Sequence, residues 1–368
     1  MPVNSTKILA GLWFLCSYAR VAALSNSFTA LPGDLWLSPP STEPAINNPF
    51  VASGPTYNVS SNQVVRVEST TGLNSHWVGH WITTTDHLHF FLITFTNVVG
   101  GGGANGCLVY SLETGSSSSS FITDTPTTIG QDRLKIQFGN QYELQSLTDD
   151  NISAINVVAN YTENNFSLNT TFQPRGSLLF NGGSGSFFWG SDFNQGWASP
   201  AYTSGVFTLN GTTHTIDSKR STTWYDRQWG DTTPTQGWHW FPIQLDNGIR
   251  ISTWIVPADK GSAIEAFATA LYPNGRQEVV SVSPDMKPSN PWVSSKTNRT
   301  WFGSFEVSFL DEYNSVIKAT SPNVTIRHFG EASFGAGFAF CDSFTLYSGT
   351  WKGEKVSGWG IVEQWPAT

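Results

Sequence analysis

Phe241-Pro242-Ile243-Gln244-Leu245-Asp246-Asn247-Gly248-Ile249-Arg250-Ile251-Ser252-Thr253-Trp254-Ile255 reads as two strands joined by a tight turn. Successive side chains of a strand point to opposite faces, so Phe241, Ile243 and Leu245 share one side. Asn247-Gly248 between the arms favours the positive φ angles of a type I′ hairpin. The same dipeptide recurs at Asn210-Gly211 and Asn274-Gly275. Further alternating segments fall at 88–96, 134–138, 166–172 and 324–329. No amphipathic helical run of useful length interrupts them, so the chain is predicted to be all-β. Residues 100–103 (all glycine) and 116–120 (all serine) read as loops by composition.

The first residues read as a leader rather than as fold. Lys7 precedes the apolar run Ile8 to Cys16, and Val21-Ala22-Ala23 supplies small residues for cleavage after Ala23. A membrane span needs ~20 apolar residues, and Tyr18 and Arg20 interrupt this one. A secreted or extracellular product is therefore expected, with 1–23 as signal peptide. Sequons at Asn58, Asn151, Asn160, Asn165, Asn169, Asn210, Asn298 and Asn323 fit glycosylation in that pathway. With Cys16 in the leader, Cys107 and Cys341 are left to form one disulfide in an oxidising compartment, or to stay as buried thiols.

Removing the leader takes Lys7 and Arg20 and leaves 17 basic against 27 acidic residues. That balance, with no basic run, argues against nucleic acid or an anionic membrane as partner. Aromatic residues are 14% of the chain and charged residues only 12%, with 16 tryptophans. This exceeds what a core ordinarily uses, so some rings are expected to line a cavity for a hydrophobic small molecule. A remainder of ~345 residues is long for one β-barrel. A break at Asp231-Thr232-Thr233-Pro234-Thr235 would give domains at 24–232 and 233–368.

Candidate chemistry centres on Ser221-Thr222-Thr223-Trp224-Tyr225-Asp226-Arg227-Gln228-Trp229-Gly230. As a strand it places Trp224, Asp226 and Gln228 on one face and Tyr225, Arg227 and Trp229 on the other. Whichever face is buried takes a charge with it, which is costly unless paired. Asp226 is thus either a proton-transfer group or half of a structural ion pair with Arg227. His239, in Gly237-Trp238-His239-Trp240, shares a face with Phe241 and Ile243; it is a core histidine or a substrate-orienting one. Glu363 lies on the stripe of Trp359, Ile361 and Trp365, where a carboxylate is either paired, with Arg227 the partner on offer, or held for proton transfer. Glu265 repeats this more weakly beside Phe267. His76, His80, His87 and His89 lack the further ligands of a metal set. Gly183-Ser184-Gly185-Ser186 lacks the strand-turn-helix setting of a nucleophile elbow. No phosphate loop or dinucleotide fingerprint occurs, so no cofactor and no metal are expected.

Trp-Tyr-Asp-Arg-Gln-Trp-Gly at 224–230, Gly-Trp-His-Trp-Phe-Pro-Ile-Gln-Leu-Asp-Asn-Gly at 237–248 and Gly-Trp-Gly-Ile-Val-Glu-Gln at 358–364 resemble the hydroxyneurosporene synthase and AttH group. The resemblance implies two lipocalin-like antiparallel β-barrel domains with a pocket at their junction. Among its members the chain is most similar to a secreted fungal branch of secondary metabolism, comprising hydratases of prenylated phenolics and hetero-Diels–Alderases of tropolone-sesquiterpenoids. It implies catalytic use of Asp226, with Trp224 beside it. Tyr225, Arg227, Trp238, Trp240, Trp359 and Glu265 are the expected substrate contacts, and His239 and Glu363 complete the catalytic set. Dehydration to a quinone methide coupled to cycloaddition is the leading expectation, hydration of a prenyl double bond the alternative. A non-catalytic carrier of a hydrophobic ligand, and a sugar-binding protein, are readings from other classes.

Overall fold

Antiparallel pairing organises almost everything that this computed structural model describes, namely residues 57–64, 72–189, 192–231, 233–258, 264–295, 297–322, 332–333 and 339–367. The leader, Asn323, Thr232 and the strand expected at 324–329 lie outside the described residues. Two sheets form. The first, of 14 strands, runs Ser117–Asp124, Gly102–Ser111, His89–Val99, Leu73–Thr83, Thr222–Gly230, Asp192–Leu209, Phe166–Pro174 and on to Thr128–Ile129. The second, of 10 strands, runs Gln277–Ser281, Glu265–Leu271, Arg250–Val256, Trp238–Leu245, Glu354–Trp365, Ala339–Trp351 and on to Lys287–Val293.

Each sheet curls so that one face closes on its own core in the lipocalin-like manner. Val78, Phe172, Trp197 and Tyr225 fill the first core, and Phe241, Ile243, Ile251 and Val362 the second. A third cluster belongs to neither interior. Trp77, Trp81, Phe91 and Trp224 from the outer face of the first sheet meet Trp238, Trp240, Trp254, Trp359 and Phe344 from the second. This seam explains the excess of aromatic residues. It also explains why Leu73–Thr83, Thr222–Gly230 and Arg250–Val256 are buried along nearly their whole length on both faces.

Local expectations fare unevenly. Asn210 and Gly211 both take positive φ, at 52° and 82°, as a type I′ turn requires. At 247–248 and 274–275 only the glycine does, at 88° and 83°, so those hairpins close with a different turn. Residues 102–103 and 117–120 are strand rather than loop. Ser117–Asp124 adds to the edge of the first sheet beside Gly102–Ser111, so pairing overrides composition. The expected disulfide is absent. Cys107 is a free thiol in the first core, while Cys341 sits with Trp301 in a separate small cluster, 3.5 Å from the Ser343 hydroxyl.

Of the sequons, Asn58, Asn160, Asn165, Asn169, Asn210 and Asn298 are exposed. Asn151 is buried and corrects the expectation for that site: its side chain accepts from Leu134 N (2.9 Å) and donates to Asp132 O (3.2 Å).

Candidate active site

Pairing register decides what each face carries. Thr222–Gly230 lies between Leu73–Thr83 and Asp192–Leu209, so Asp226 is flanked by Trp77 and Ala198, and Arg227 by His76 and Trp197. The first trio faces the seam and the second faces the first core. In the second sheet Glu363 is flanked by Trp240 and Asp342. The seam thereby gathers three carboxyls, Asp226, Asp342 and Glu363, among indole rings.

The contacts are specific. Trp238 Nε1 donates to Glu363 Oε1. Asp342 and Glu363, cross-strand neighbours, share a carboxyl–carboxyl hydrogen bond. Trp77 meets Trp240 edge-on at 5.2 Å. Trp240 stacks on Trp254, and both indoles donate to Ser252 Oγ at 3.1 Å. Asp226 and Asp342 are 4% and 3% exposed, whereas Glu363 keeps more of its surface accessible. One oxygen of each aspartate, and the Trp224 Nε1, have no hydrogen-bond partner among the described residues. A buried polar group without a partner costs roughly 1–3 kcal/mol, so these atoms are poised for a polar ligand.

Burial penalises the charged form of all three acids. It lifts Asp226 well above the ordinary carboxylate range, and the charge on Glu363 lifts it further. Asp342 rises for the same two reasons, in the same order. Glu363 is pushed up to about 7 by burial, against the pull of hydrogen bonds from Trp238 and Asp342. Near neutral pH the cluster thus holds two protonated acids and one group midway through titration. The unfolded chain releases the Glu363 proton near 4.5, the folded protein near 7. The folded state therefore binds the extra proton in that window, and its stability falls as pH rises from 4.5 through 7. Glu363 alone accounts for up to about 3 kcal/mol, at 1.36 kcal/mol per unit. Urea denaturation across this range should show the decline, and Glu363→Gln should flatten it; an unchanged slope in the variant would contradict the assignment.

Several expected contacts lie elsewhere. Arg227 is not the partner of Glu363: it is inside the first barrel, donating to Ser75 O (3.2 Å), Gln228 O (2.7 Å) and Asn62 O (3.0 Å), with its guanidinium 5.1 Å from the Trp229 ring centroid. Burial brings it down to about 10, so it stays charged at neutral pH. Tyr225 is beside it, bonded to Gln63 (3.0 Å) and His76 (2.7 Å). His239 points into the second core between Phe241 and Phe305, and burial lowers it to about 4, so it is a neutral core histidine. None of these three hydrogen-bonds to the carboxyls, although the Arg227 charge pulls Asp226 down against its burial. Trp224, Trp238, Trp240 and Trp359 do line the seam. Glu265 sits half-buried at its rim, paired in register with Val256. Among the described residues no cluster of His, Cys, Asp and Glu could hold a metal.

Sequence reasoning missed Asp342 and Trp77. The signal for Asp342 was there: Phe340-Cys341-Asp342-Ser343-Phe344 sets an acid on an aromatic stripe, as at Glu363. Trp77 alternates with Gly79 and Trp81 in the same way. A cavity of about 490 Å³ opens away from the seam, at the mouth of the first barrel, where Gln63, Asn74, His76, Val98, Arg133 and Lys135 are among its lining.

The AttH-like family profile matches residues 122–363, about two thirds of the chain. The protein belongs to the AttH-like family. Within it, this chain is 26% identical over 361 residues to dehydratase asqC of Emericella nidulans, covering 93% of the chain and 98% of that protein. It is 28% identical over 260 residues to kievitone hydratase of Fusarium solani subsp. phaseoli, covering 66% of the chain and 68% of that protein. The crystal structure of kievitone hydratase from Nectria haematococca shares the fold of this AttH-like protein, with a TM-score of 0.78 at 23% identity over 90% of the chain and 98% of that structure.

Proposed function

We propose that this AttH-like protein is a lyase that removes or adds water at a hydroxyl-bearing carbon of a hydrophobic phenolic or polyketide-like substrate. The carrying observation is the buried carboxyl cluster, in which two acids stay protonated while Glu363 titrates near neutrality. Relatives named dehydratase and hydratase support the reaction class.

In dehydration, protonated Asp226 gives its proton to the leaving hydroxyl, the C–O bond breaks and water departs. Carboxylate Glu363 accepts the phenolic proton, so the product is a neutral quinone methide. The Glu363–Asp342 hydrogen bond offers a path by which that proton returns to the cluster. Run backwards, the steps add water to the quinone methide; on a prenyl double bond protonated Asp226 instead gives its proton to the less substituted alkene carbon, and Glu363 takes a proton from the water that adds to the other carbon. Positioned acid–base groups of this kind contribute typically 10²–10⁴-fold. The indole walls exclude water and hold the apolar reactant, so proximity adds to the effect. The quinone methide oxygen and exocyclic carbon can then add across a terpene alkene, forming one C–C and one C–O bond with no atom lost. This cycloaddition is the finer form of the reading. The hydrogen-bonded pair leaves no gap for a glycosidic bond between its carboxyls, which disfavours sugar hydrolysis.

The leader-like start and the exposed sequons support synthesis through the secretory pathway. The test is to incubate purified protein separately with a prenylated isoflavonoid and with a hydroxymethyl tropolone plus a cyclic terpene alkene, reading product mass. Gain of water on the first, or loss of water with adduct formation on the second, is expected, and Asp226→Asn should abolish either. Equal product with and without protein would end the enzymatic reading and leave ligand carriage, for which the 490 Å³ cavity of the first barrel is the natural seat.

A further inference from the structure

We propose that the cavity at the mouth of the first barrel is a second binding site, apart from the seam, which seats an uncharged hydrophobic phenol with its hydroxyl donated to His76 Nε2. The inference does not rest on the reaction proposed for the carboxyls, which lie on the other side of the same sheet.

A chain of hydrogen bonds fixes what the cavity offers. Gln63 Nε2 donates to the carbonyl oxygen of Asn151 at 3.0 Å, which orients the amide and leaves Oε1 as its acceptor end. The Tyr225 hydroxyl gives its one proton to that Oε1, at 3.0 Å. In the 2.7 Å contact between Tyr225 and His76 Nδ1, the imidazole is therefore the donor. A neutral ring with its proton on Nδ1 carries a lone pair on Nε2. Burial, and then the Arg227 charge, hold His76 well below the usual histidine range, so this lone pair stays free of a proton. His76 is only 1% exposed, and among the described residues no second hydrogen bond reaches its ring. A buried acceptor in this state gains from a hydroxyl donor.

The walls define what that hydroxyl is attached to. Val64, Val98, Leu134 and Ile136 line the cavity alongside Gln63 and His76, and its volume of about 490 Å³ is that of a small-molecule pocket. The cations at the rim are already matched, Arg133 with Asp149 and Lys135 with Glu143 at 3.4 Å. The mouth therefore does not call for an anion, and a carboxylate would meet a lone pair at the base. A phenol fits better than an aliphatic alcohol, because its O–H is the stronger donor and its ring packs on the aliphatic walls. His76 and Trp77 are consecutive on one strand, so this site and the seam stand back to back across a single sheet.

Calorimetric titration of the full chain with 4-phenylphenol and with 4-methoxybiphenyl tests the site, since the ether keeps both rings and lacks only the donor. The phenol should bind about tenfold tighter, the scale of one hydrogen bond to a buried acceptor. His76→Phe should abolish that preference by weakening the phenol alone, whereas Asp226→Asn, on the seam side, should leave it in place. Should His76→Phe fail to fold, Ile129→Trp at an exposed position of the mouth crowds the entrance and should weaken both probes. No turnover is read, so failure of the seam chemistry and failure of this site are separate outcomes. The proposal is overturned by equal or absent binding of the two probes, or by affinities unchanged in His76→Phe or, in its place, Ile129→Trp. A preference lost in Asp226→Asn overturns it as well and moves the phenol to the seam.

Discussion

Glu363→Gln is expected to lower turnover by about 10²–10⁴-fold, the usual weight of one acid–base group. The amide oxygen can still accept from Trp238, so the seam stays closed. What disappears is the group that titrates near neutrality. Asp342 then loses the neighbouring charge that lifts it, yet remains raised by burial and stays protonated. The cluster would hold acids only, with no base to take the phenolic proton. Because ionised Glu363 is disfavoured by burial in the folded state, the variant should be at least as stable as the parent at pH 7. Product formation by mass, with urea denaturation alongside, checks both halves. Turnover within threefold of the parent would remove Glu363 from the mechanism.

Arg227→Met should do the opposite. The guanidinium is fully buried and holds three backbone carbonyls, from Asn62, Ser75 and Gln228. Methionine fills much of the space but leaves those oxygens without their donor. Breaking buried charged contacts of this kind costs about 3–5 kcal/mol. In urea the midpoint should fall accordingly, while any protein that remains folded keeps its activity, since Arg227 faces away from the seam. A change below 1 kcal/mol would mean that water replaces the guanidinium without penalty. Adjacent residues of one strand would thus separate cleanly: position 226 governs rate and position 227 governs folding.

Strand alternation made most of this visible before any coordinates. It separated Trp224 and Asp226 from Tyr225 and Arg227, and it set Glu363 on the stripe of Trp359 and Trp365. It put His239 with Phe241 and Ile243, where the structure finds it. What alternation does not reveal is which of two buried faces looks inward and which looks across to another sheet. That depends on curl and on long-range register, such as Asp342 beside Glu363. Arg227 was therefore assigned a partner on the wrong side of its own sheet. The carboxyl pair escaped because its members are 21 positions apart and meet only through strand pairing. The two cysteines misled for a similar reason, since compartment chemistry suggests a bridge while separate clusters keep the sulfurs apart.

The aromatic layer between the sheets has one more consequence. Asp342 and Glu363 are encoded late in the chain, but Trp77 and Asp226 come from the earlier portion. Neither portion inherits a working set alone, and each would present a broad greasy flank to water if expressed without its counterpart. Chimeras that exchange one portion between relatives must therefore transplant this interlayer as a matched whole, or the acids will arrive without the residues that tune them.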